Sequence, residues 1–163
     1  INGKFVKPHG TELFDLINPS NNQLIGQVTL ADQRDTQDAI YAAKEAFKTF
    51  SKTTKEQRSE YLQRLHEAVL ARVDEITDAM VEEYGAPFQT ARMSNQLAAN
   101  SFLHAKEVLK DFDFNKNLGK SKIILEPIGV TAIITPWNAN ASFICNKLAT
   151  AIAAGCTVVI KPV

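Results

Sequence analysis

The last third of the sequence switches between strand-like and helix-like patterns, and this order constrains the fold more than any other feature. Val130 to Ile134 has the composition of a buried strand, and Thr157 to Ile160 is a second β-rich run. Between them, Ala141 to Ala154 forms an apolar helical pattern, for which Asn140 is a suitable N-cap and Gly155 a suitable C′ residue. Strand, helix and strand with short connections are typical of a βαβ unit, so we expect two parallel strands joined by a right-handed crossover.

A parallel sheet of two strands cannot bury both of its faces, so we expect this domain to be incomplete. The first residue is Ile1 rather than methionine, and no signal-peptide pattern follows it. The missing methionine leads us to expect that the chain is processed or was cut from something longer, and the two-stranded sheet leads us to expect an unfinished domain.

Upstream, the sequence predicts two short strands and then four helices. The strands, Leu13 to Ile17 and Leu24 to Val28, flank a turn rich in asparagine. The helices carry apolar residues every three or four positions and are bounded by capping or helix-breaking residues. Their defining residues are Asp32, Ile40, Ala43, Phe47 and Phe50 in the first helix, Thr54, Gln57, Leu62, Leu65 and Val69 in the second, Asp74 to Glu83 in the third, which ends before Gly85, and Pro87 to about Lys110 in the fourth.

A two-stranded ribbon is predicted next, formed by Phe112 to Phe114 and Lys122 to Leu125 around a loop at Asn115 to Lys120. Such a ribbon is marginally stable alone and usually packs against another sheet or subunit.

Charge and hydropathy argue against two classes of partner. Lys plus Arg and Asp plus Glu both number 18, so the formal net charge is zero, which disfavours binding to nucleic acid or to an anionic membrane. The apolar stretch from Phe143 to Ile160 contains Asn146 and Lys147 and is divided by Gly155. We therefore interpret it as two buried elements of a soluble fold and not as a membrane span.

The cysteines and histidines show no metal-ligand or catalytic spacing. Cys145 and Cys156 lie in apolar surroundings without a CxxC motif, so we expect small buried side chains in a reducing, cytoplasmic protein. His9, His66 and His104 have no partner spacing and are interpreted as surface or cap residues. No metal site is predicted.

Two polar segments directly follow the strands of the βαβ unit, and ligands of open parallel sheets bind beyond the carboxyl ends of the strands. The first is Thr135-Pro136-Trp137-Asn138, and the second begins at Lys161. The Asn138 amide can donate to a developing negative charge, as in an oxyanion hole. The Lys161 ammonium suits ribose hydroxyls or a phosphate. In the first segment, Pro136 fixes the exit from the strand and Trp137 provides a rigid wall.

Structural roles are also compatible with these residues. Asn138 can be a turn former or a helix cap, Lys161 a solvated lysine, and Trp137 a core residue. The turn after the first strand contains no glycine, so the GxGxxG fingerprint of a pyrophosphate site is absent.

In combination, these segments resemble the aldehyde dehydrogenase superfamily. The resemblance is carried by residues 133–138, Ile-Ile-Thr-Pro-Trp-Asn, and residues 153–162, Ala-Ala-Gly-Cys-Thr-Val-Val-Ile-Lys-Pro, at matching spacing. Weaker agreement comes from Asn18-Pro19, from the helix at 42–47 and from 126–130. The resemblance spans nearly the whole chain, and the chain corresponds to about the first third of the family's usual length.

The resemblance implies an α/β protein of aldehyde dehydrogenase-like fold, in which a helical segment precedes the first βαβ unit of a Rossmann-like parallel sheet. Residues 1–111 would be N-terminal strands and helices packed on the cofactor domain, 112–127 the ribbon of the oligomerisation region, and 128–163 the truncated start of the NAD(P)-binding domain. It also implies an aldehyde substrate and a homo-oligomer in the intact protein.

Roles for individual residues are implied by the same resemblance. Asn138 matches the asparagine whose side chain helps to stabilise the oxyanion of the thiohemiacetal. Lys161 matches the lysine that contacts the adenosine ribose of NAD or NADP. The segment formed by Ile134, Thr135, Pro136 and Trp137 matches the one that lines the cofactor.

The sequence departs from the family at two points. Ala139-Asn140 stands where Phe-Pro is common, which alters the wall of the aldehyde tunnel. The nucleophilic cysteine and the general-base glutamate lie downstream in the family and have no counterpart here, so we predict that the 163-residue chain alone does not oxidise aldehydes. The alternative interpretation is a non-catalytic module that binds a nucleotide or mediates assembly.

Overall fold

The computed structural model describes residues 1–162 and confirms an α/β chain with the predicted order of elements. It begins with the antiparallel hairpin β1 (Leu13–Ile17) and β2 (Leu24–Thr29). Four helices come next, namely α1 (Gln33–Phe50), α2 (Lys55–Leu70), α3 (Val73–Tyr84) and α4 (Phe88–Asp111). The chain then forms the ribbon β3 (Asn115–Leu118) and β4 (Ser121–Ile124), and finally β5 (Val130–Ile134), α5 (Asn140–Ala153) and β6 (Thr157–Lys161).

Local capping chemistry defines the starts of the first two helices. Asp32 is the N-cap of α1 and accepts hydrogen bonds from the backbone of Arg34 and Asp35. Thr54 and Gln57 form a reciprocal capping box at the start of α2, because the Thr54 hydroxyl accepts from the Gln57 backbone N–H at 3.3 Å and the Gln57 side chain accepts from the Thr54 backbone N–H at 3.0 Å. Pro87, expected in the first turn of α4, is instead its N-cap.

The hydrophobic core lies where α2, α4 and α5 meet. Leu62 and Phe102 are completely buried there, and the helical periodicity predicted this for Leu62. Cys145 and Ala149 bring α5 into the same cluster. Because α5 also connects the two parallel strands, this core holds the βαβ unit against the helical part of the chain.

The ribbon is antiparallel as predicted, but its strands lie closer to the tip than expected. Asn115 pairs with Ile124 and Leu118 with Ser121, so most of the segment assigned to the loop is in fact strand. A tight turn at Gly119, with φ of 60°, makes this possible. Phe114 and Leu125 only extend the ribbon, through a backbone hydrogen bond of 2.8 Å.

Two further expectations concern burial. Cys145 and Cys156 are both free and buried, as predicted. His66 was expected at the surface, but this is wrong: its side chain is only 9% exposed, and Nδ1 lies 3.0 Å from the Ala99 carbonyl oxygen. Within residues 1–162, no helix combines the length and hydropathy needed to cross a membrane.

Candidate functional site

The two predicted site segments share one edge of the β5–β6 sheet. The strands are parallel, and their register places Ile134 opposite Lys161 at the last pair of the ladder. Both residues are exposed, with Ile134 at 71%. An apolar surface and a cation therefore lie side by side where the chain leaves the sheet, which is the position at which open parallel sheets bind ligands.

Thr135, the first residue after β5, points into the protein. It is only 2% exposed, and its hydroxyl donates to Oδ1 of Asn140 at 3.2 Å. Asn140 was predicted to be the N-cap of the helix, but it is the first residue of α5. The cap position is Ala139, which makes no side-chain capping hydrogen bond. The Asn140 side chain is directed to Thr135 and not to the backbone of the helix.

Trp137 is at the surface and does not belong to the core. It is 64% exposed, and its ring packs at 5.5 Å between centroids and a 55° interplanar angle on Tyr84, the last residue of α3. Such tilted aromatic pairs are favourable beyond the area they bury. Tyr84 thus supports the turn from outside the βαβ unit, a contact that nothing in the sequence pattern indicated.

Asn138 lies exposed in the turn between β5 and α5 and is not the cap of α5. The helix-cap interpretation of this residue is therefore wrong. The first turn of α5 has neither a side-chain cap nor an acidic residue. Its partial positive charge is thus not neutralised locally, and a negative charge near Asn138 would be stabilised.

The far end of α5 is fixed by Gly155 and by a cation from α2. Gly155, with φ of 81°, occupies the predicted C′ position, and the amides of Gly155 and Cys156 close the helix by donating to the carbonyls of Ile152 and Ala151. Arg58 donates from Nη1 to the Ala153 carbonyl at 2.8 Å. The start of β6, and through it Lys161, is positioned by these contacts. Arg58 was not singled out from the sequence.

Neither cysteine is poised to act as a nucleophile. Burial raises the pKa of the Cys145 thiol to about 11, which disfavours the reactive thiolate near neutral pH. Cys156 is 3% exposed and directly precedes β6, at the sheet end opposite to Lys161. Among residues 1–162 there is also no group of three or more His, Cys, Asp or Glu side chains that could hold a metal ion.

An apolar groove of about 640 Å³ lies elsewhere, between α4, α5 and the base of the ribbon. The residues that line it include Leu97, His104, Val108 and Phe112. Neither the turn at 135–138 nor Lys161 lines it. The groove is thus separate from the sheet edge that carries the predicted site.

Comparisons with known proteins agree with this architecture. The sequence pattern of the Aldehyde dehydrogenase family matches residues 5–163. A 3-succinoylsemialdehyde-pyridine dehydrogenase from Pseudomonas sp is 39% identical over 164 residues, and a putative aldehyde dehydrogenase from Staphylococcus aureus is 34% identical over 163 residues. Each match covers 99% of this chain and 34% of the relative, so the chain spans about a third of their length.

Solved structures give the same result. Aldehyde dehydrogenase C from Pseudomonas syringae, in complex with NAD+ and octanal, superimposes with a TM-score of 0.95 at 37% identity, over 99% of this chain and 34% of that one. An aldehyde dehydrogenase from Bartonella henselae superimposes with a TM-score of 0.94 at 29% identity, over 99% of this chain and 35% of that one. A betaine aldehyde dehydrogenase from Staphylococcus aureus in complex with NAD+ gives 0.92 at 26% identity, over 99% and 34%. With the family pattern matched over nearly its whole length and the fold shared with these enzymes, the chain belongs to the aldehyde dehydrogenase family.

Proposed function

We propose that this chain supplies one half of the active site of an NAD(P)-dependent aldehyde dehydrogenase, which oxidises an aldehyde to a carboxylic acid. The observation that carries the proposal is the sheet edge, where the ladder pair Ile134–Lys161 and the exposed Asn138 lie at the ends of the two strands. Support comes from relatives of the same fold that were crystallised with NAD+, one of them also with octanal.

The residues at this edge fit a dinucleotide. The Lys161 ammonium offers three donors to ribose hydroxyls or a phosphate, and Ile134 and Trp137 offer exposed apolar surface to a flat ring. Thr135 is buried, so its side chain supports the binding segment from behind, whereas Pro136 fixes the direction in which the segment leaves β5. When bound, NAD(P) accepts the hydride released by the aldehyde carbon.

Asn138 is proposed to hold the aldehyde oxygen. Its amide N–H groups would donate to that oxygen as negative charge develops on it, and a preorganised donor of this kind stabilises the transition state more than the ground state. The uncapped first turn of α5 adds a favourable dipole at the same place. Asn138 is therefore the catalytic residue of this half-site.

Covalent catalysis also needs an accessible nucleophile, and within residues 1–162 the two cysteines, Cys145 and Cys156, are both buried. We therefore propose that the 163 residues alone are inactive and that a nucleophilic cysteine and a general-base glutamate are supplied from outside them. We further propose that residues 1–111 pack on the cofactor domain that begins at 128, that the fully exposed ribbon within 112–127 assembles subunits, and that the enzyme is cytoplasmic.

The test uses the protein expressed from its complete reading frame. Asn138→Ala should lower kcat on the order of a hundredfold, the scale expected for the loss of one oxyanion donor. Asn100→Ala, which removes an exposed asparagine on α4, is the matched control and should leave kcat unchanged. Wild-type kinetics for Asn138→Ala would remove this residue from the mechanism.

Cofactor binding is tested separately by thermal-shift titration with NAD and with NADP. Lys161→Ala should weaken the binding of the preferred cofactor on the order of tenfold, as expected for losing hydrogen bonds to a charged group, whereas Lys44→Ala on α1 should not. Cofactor binding without any NAD(P)-linked aldehyde oxidation would favour the alternative, a nucleotide-binding or assembly module.

A further inference from the structure

We infer that the hydrogen bond between Thr135 and Asn140 fixes the position of Asn138, which makes Thr135 and Asn140 positioning residues of the active site. The inference rests on the proposed function insofar as it concerns catalysis. The effect on the shape of the turn depends only on the geometry of this chain.

The bond joins the two ends of the turn that presents Asn138. Thr135 is the first residue after β5, Asn140 is the first residue of α5, and residues 136–139 lie between them. The donor is 2% exposed and the bond measures 3.2 Å, so water competes poorly for the Thr135 hydroxyl. A closed loop of four residues has far fewer conformations than an open one.

The turn has few other restraints. The cap residue Ala139 makes no side-chain hydrogen bond to the helix. Pro136 restricts its own φ but not that of the residues after it. The Trp137–Tyr84 contact lies at the surface and restrains one ring. Within the described residues, the Thr135–Asn140 bond is thus the side-chain hydrogen bond that couples the exit from β5 to the start of α5.

The consequence for catalysis concerns the position of the Asn138 amide relative to the aldehyde oxygen. An oxyanion donor stabilises the transition state only if it is held at hydrogen-bond distance from the oxygen, and a displacement of 1 Å can cost on the order of a hundredfold in rate. If the turn opens, Asn138 remains present but samples other positions. The chemical step should slow, while cofactor binding should change less, because Ile134 and Lys161 lie on the strands and only Trp137 of the proposed cofactor contacts lies in the turn.

The experiment compares Thr135→Val, which removes the donor, with Thr135→Ser, which keeps it, in the protein expressed from its complete reading frame. The direct readout is amide exchange of Phe143, which donates to the Ala139 carbonyl at 3.0 Å in the first turn of α5. We expect Thr135→Val to accelerate this exchange about fivefold, the scale of one net hydrogen bond, and Thr135→Ser to keep it near the wild-type rate. Thr150→Val, which removes an exposed hydroxyl further along α5, is the matched control.

Kinetics form the second readout. Thr135→Val and Asn140→Ala should each lower kcat about tenfold, with the KM for cofactor changed less than about twofold. The double variant should be no slower than either single variant, because both remove the same bond. Losses that multiply in the double variant, or a Thr135→Ser variant as slow as Thr135→Val, would overturn the inference.

The outcomes also separate this inference from the proposed function. If Asn138→Ala has wild-type kcat, the proposed role of Asn138 fails, yet faster Phe143 exchange in Thr135→Val would still support the bond as the restraint on the turn. If Asn138→Ala is slow but Thr135→Val has wild-type exchange and kcat, the positioning role fails and the proposed function stands. Should Thr135→Val not fold, Asn140→Ala and Thr135→Ser carry the same comparison.

Discussion

Replacing Arg58 by methionine should loosen the junction between α5 and β6. Arg58 is 9% exposed, donates from Nη1 to the Ala153 carbonyl at 2.8 Å, and places its guanidinium 5.1 Å from the ring centroid of Phe114. Ala153 is the last residue of α5, where helix carbonyls lack partners within the helix. Methionine keeps much of the apolar stem but removes the donor and the charge.

The size of the effect can be worked out from these contacts. A hydrogen bond from a charged group contributes about 1.5–3 kcal/mol, and a cation–π contact about 1 kcal/mol. The bond from Nε to the Thr54 carbonyl adds little, because that oxygen also accepts the backbone amide of Arg58 at 3.1 Å. Burial opposes these gains, since desolvation of the guanidinium lowers the pKa of Arg58. We expect a net loss of about 2 kcal/mol, which corresponds to about a thirtyfold change in an opening equilibrium.

Native-state amide exchange measures this locally. The amides of Gly155 and Cys156, which donate back into α5, should exchange about thirtyfold faster in Arg58→Met, while amides in the middle of α4 keep their rates. In Arg58→Lys, the exchange rates of these amides should fall between those of the wild type and of Arg58→Met, because lysine retains the charge without the planar fork. Arg64→Met, on the exposed side of α2, is the control. Unchanged exchange at Gly155 and Cys156, or equal acceleration throughout the protein, would refute the reasoning.

Two further predictions concern the same part of the chain. Gly155→Ala should lower the midpoint of thermal unfolding more than Gly119→Ala does. Both glycines have positive φ, but only at 155 would the new Cβ lie 2.8 Å from Cγ of Pro127. Equal shifts of the midpoint in the two variants would contradict this steric argument. The Cys145 thiol should lower stability in alkali: its pKa is raised by burial from 9.0 to about 11, so the folded state keeps a proton that the unfolded state loses, and stability falls as pH rises above about 9. Cys145→Ala should remove that part of the decline in urea unfolding between about pH 9 and 11.

Local signals in the sequence predicted the elements well. The capping box at Thr54 and the C′ glycine at 155 each act within one turn of helix, so their patterns can be recognised without knowing the rest of the fold. The first strand of the ribbon was misplaced because Asn115–Leu118 is mostly polar and fully exposed, whereas β-propensity favoured the apolar segment Phe112 to Phe114. The tight turn at Gly119 was the signal that could have corrected the register.

Contacts between distant parts of the chain could not be predicted in this way. Arg58 and Ala153 are 95 positions apart, and no periodicity relates them. The contact between Tyr84 and Trp137 likewise depends on how α3 packs beside the sheet edge. His66 is different, because it lies four residues after the buried Leu62 and therefore on the same face of α2. Its burial could have been inferred from the helical period.

The spacing between Asn138 and Lys161 says more about the geometry of the proposed half-site than either residue does alone, and the structure explains why. Asn138 is presented by the turn before α5 and Lys161 by the strand after it, and α5 is held at both ends, by the Thr135–Asn140 bond at its start and by Arg58 at its last carbonyl. Each residue added to a helix rotates the next part of the chain by about 100° and moves it about 1.5 Å along the axis. With both ends fixed, an insertion or deletion in α5 would break one of these contacts or shift the β5–β6 register that places Lys161 opposite Ile134. The length of α5 therefore sets the geometry of the proposed half-site, so a one-residue deletion within α5 should impair both cofactor binding and turnover, unlike Asn138→Ala, which should impair turnover alone.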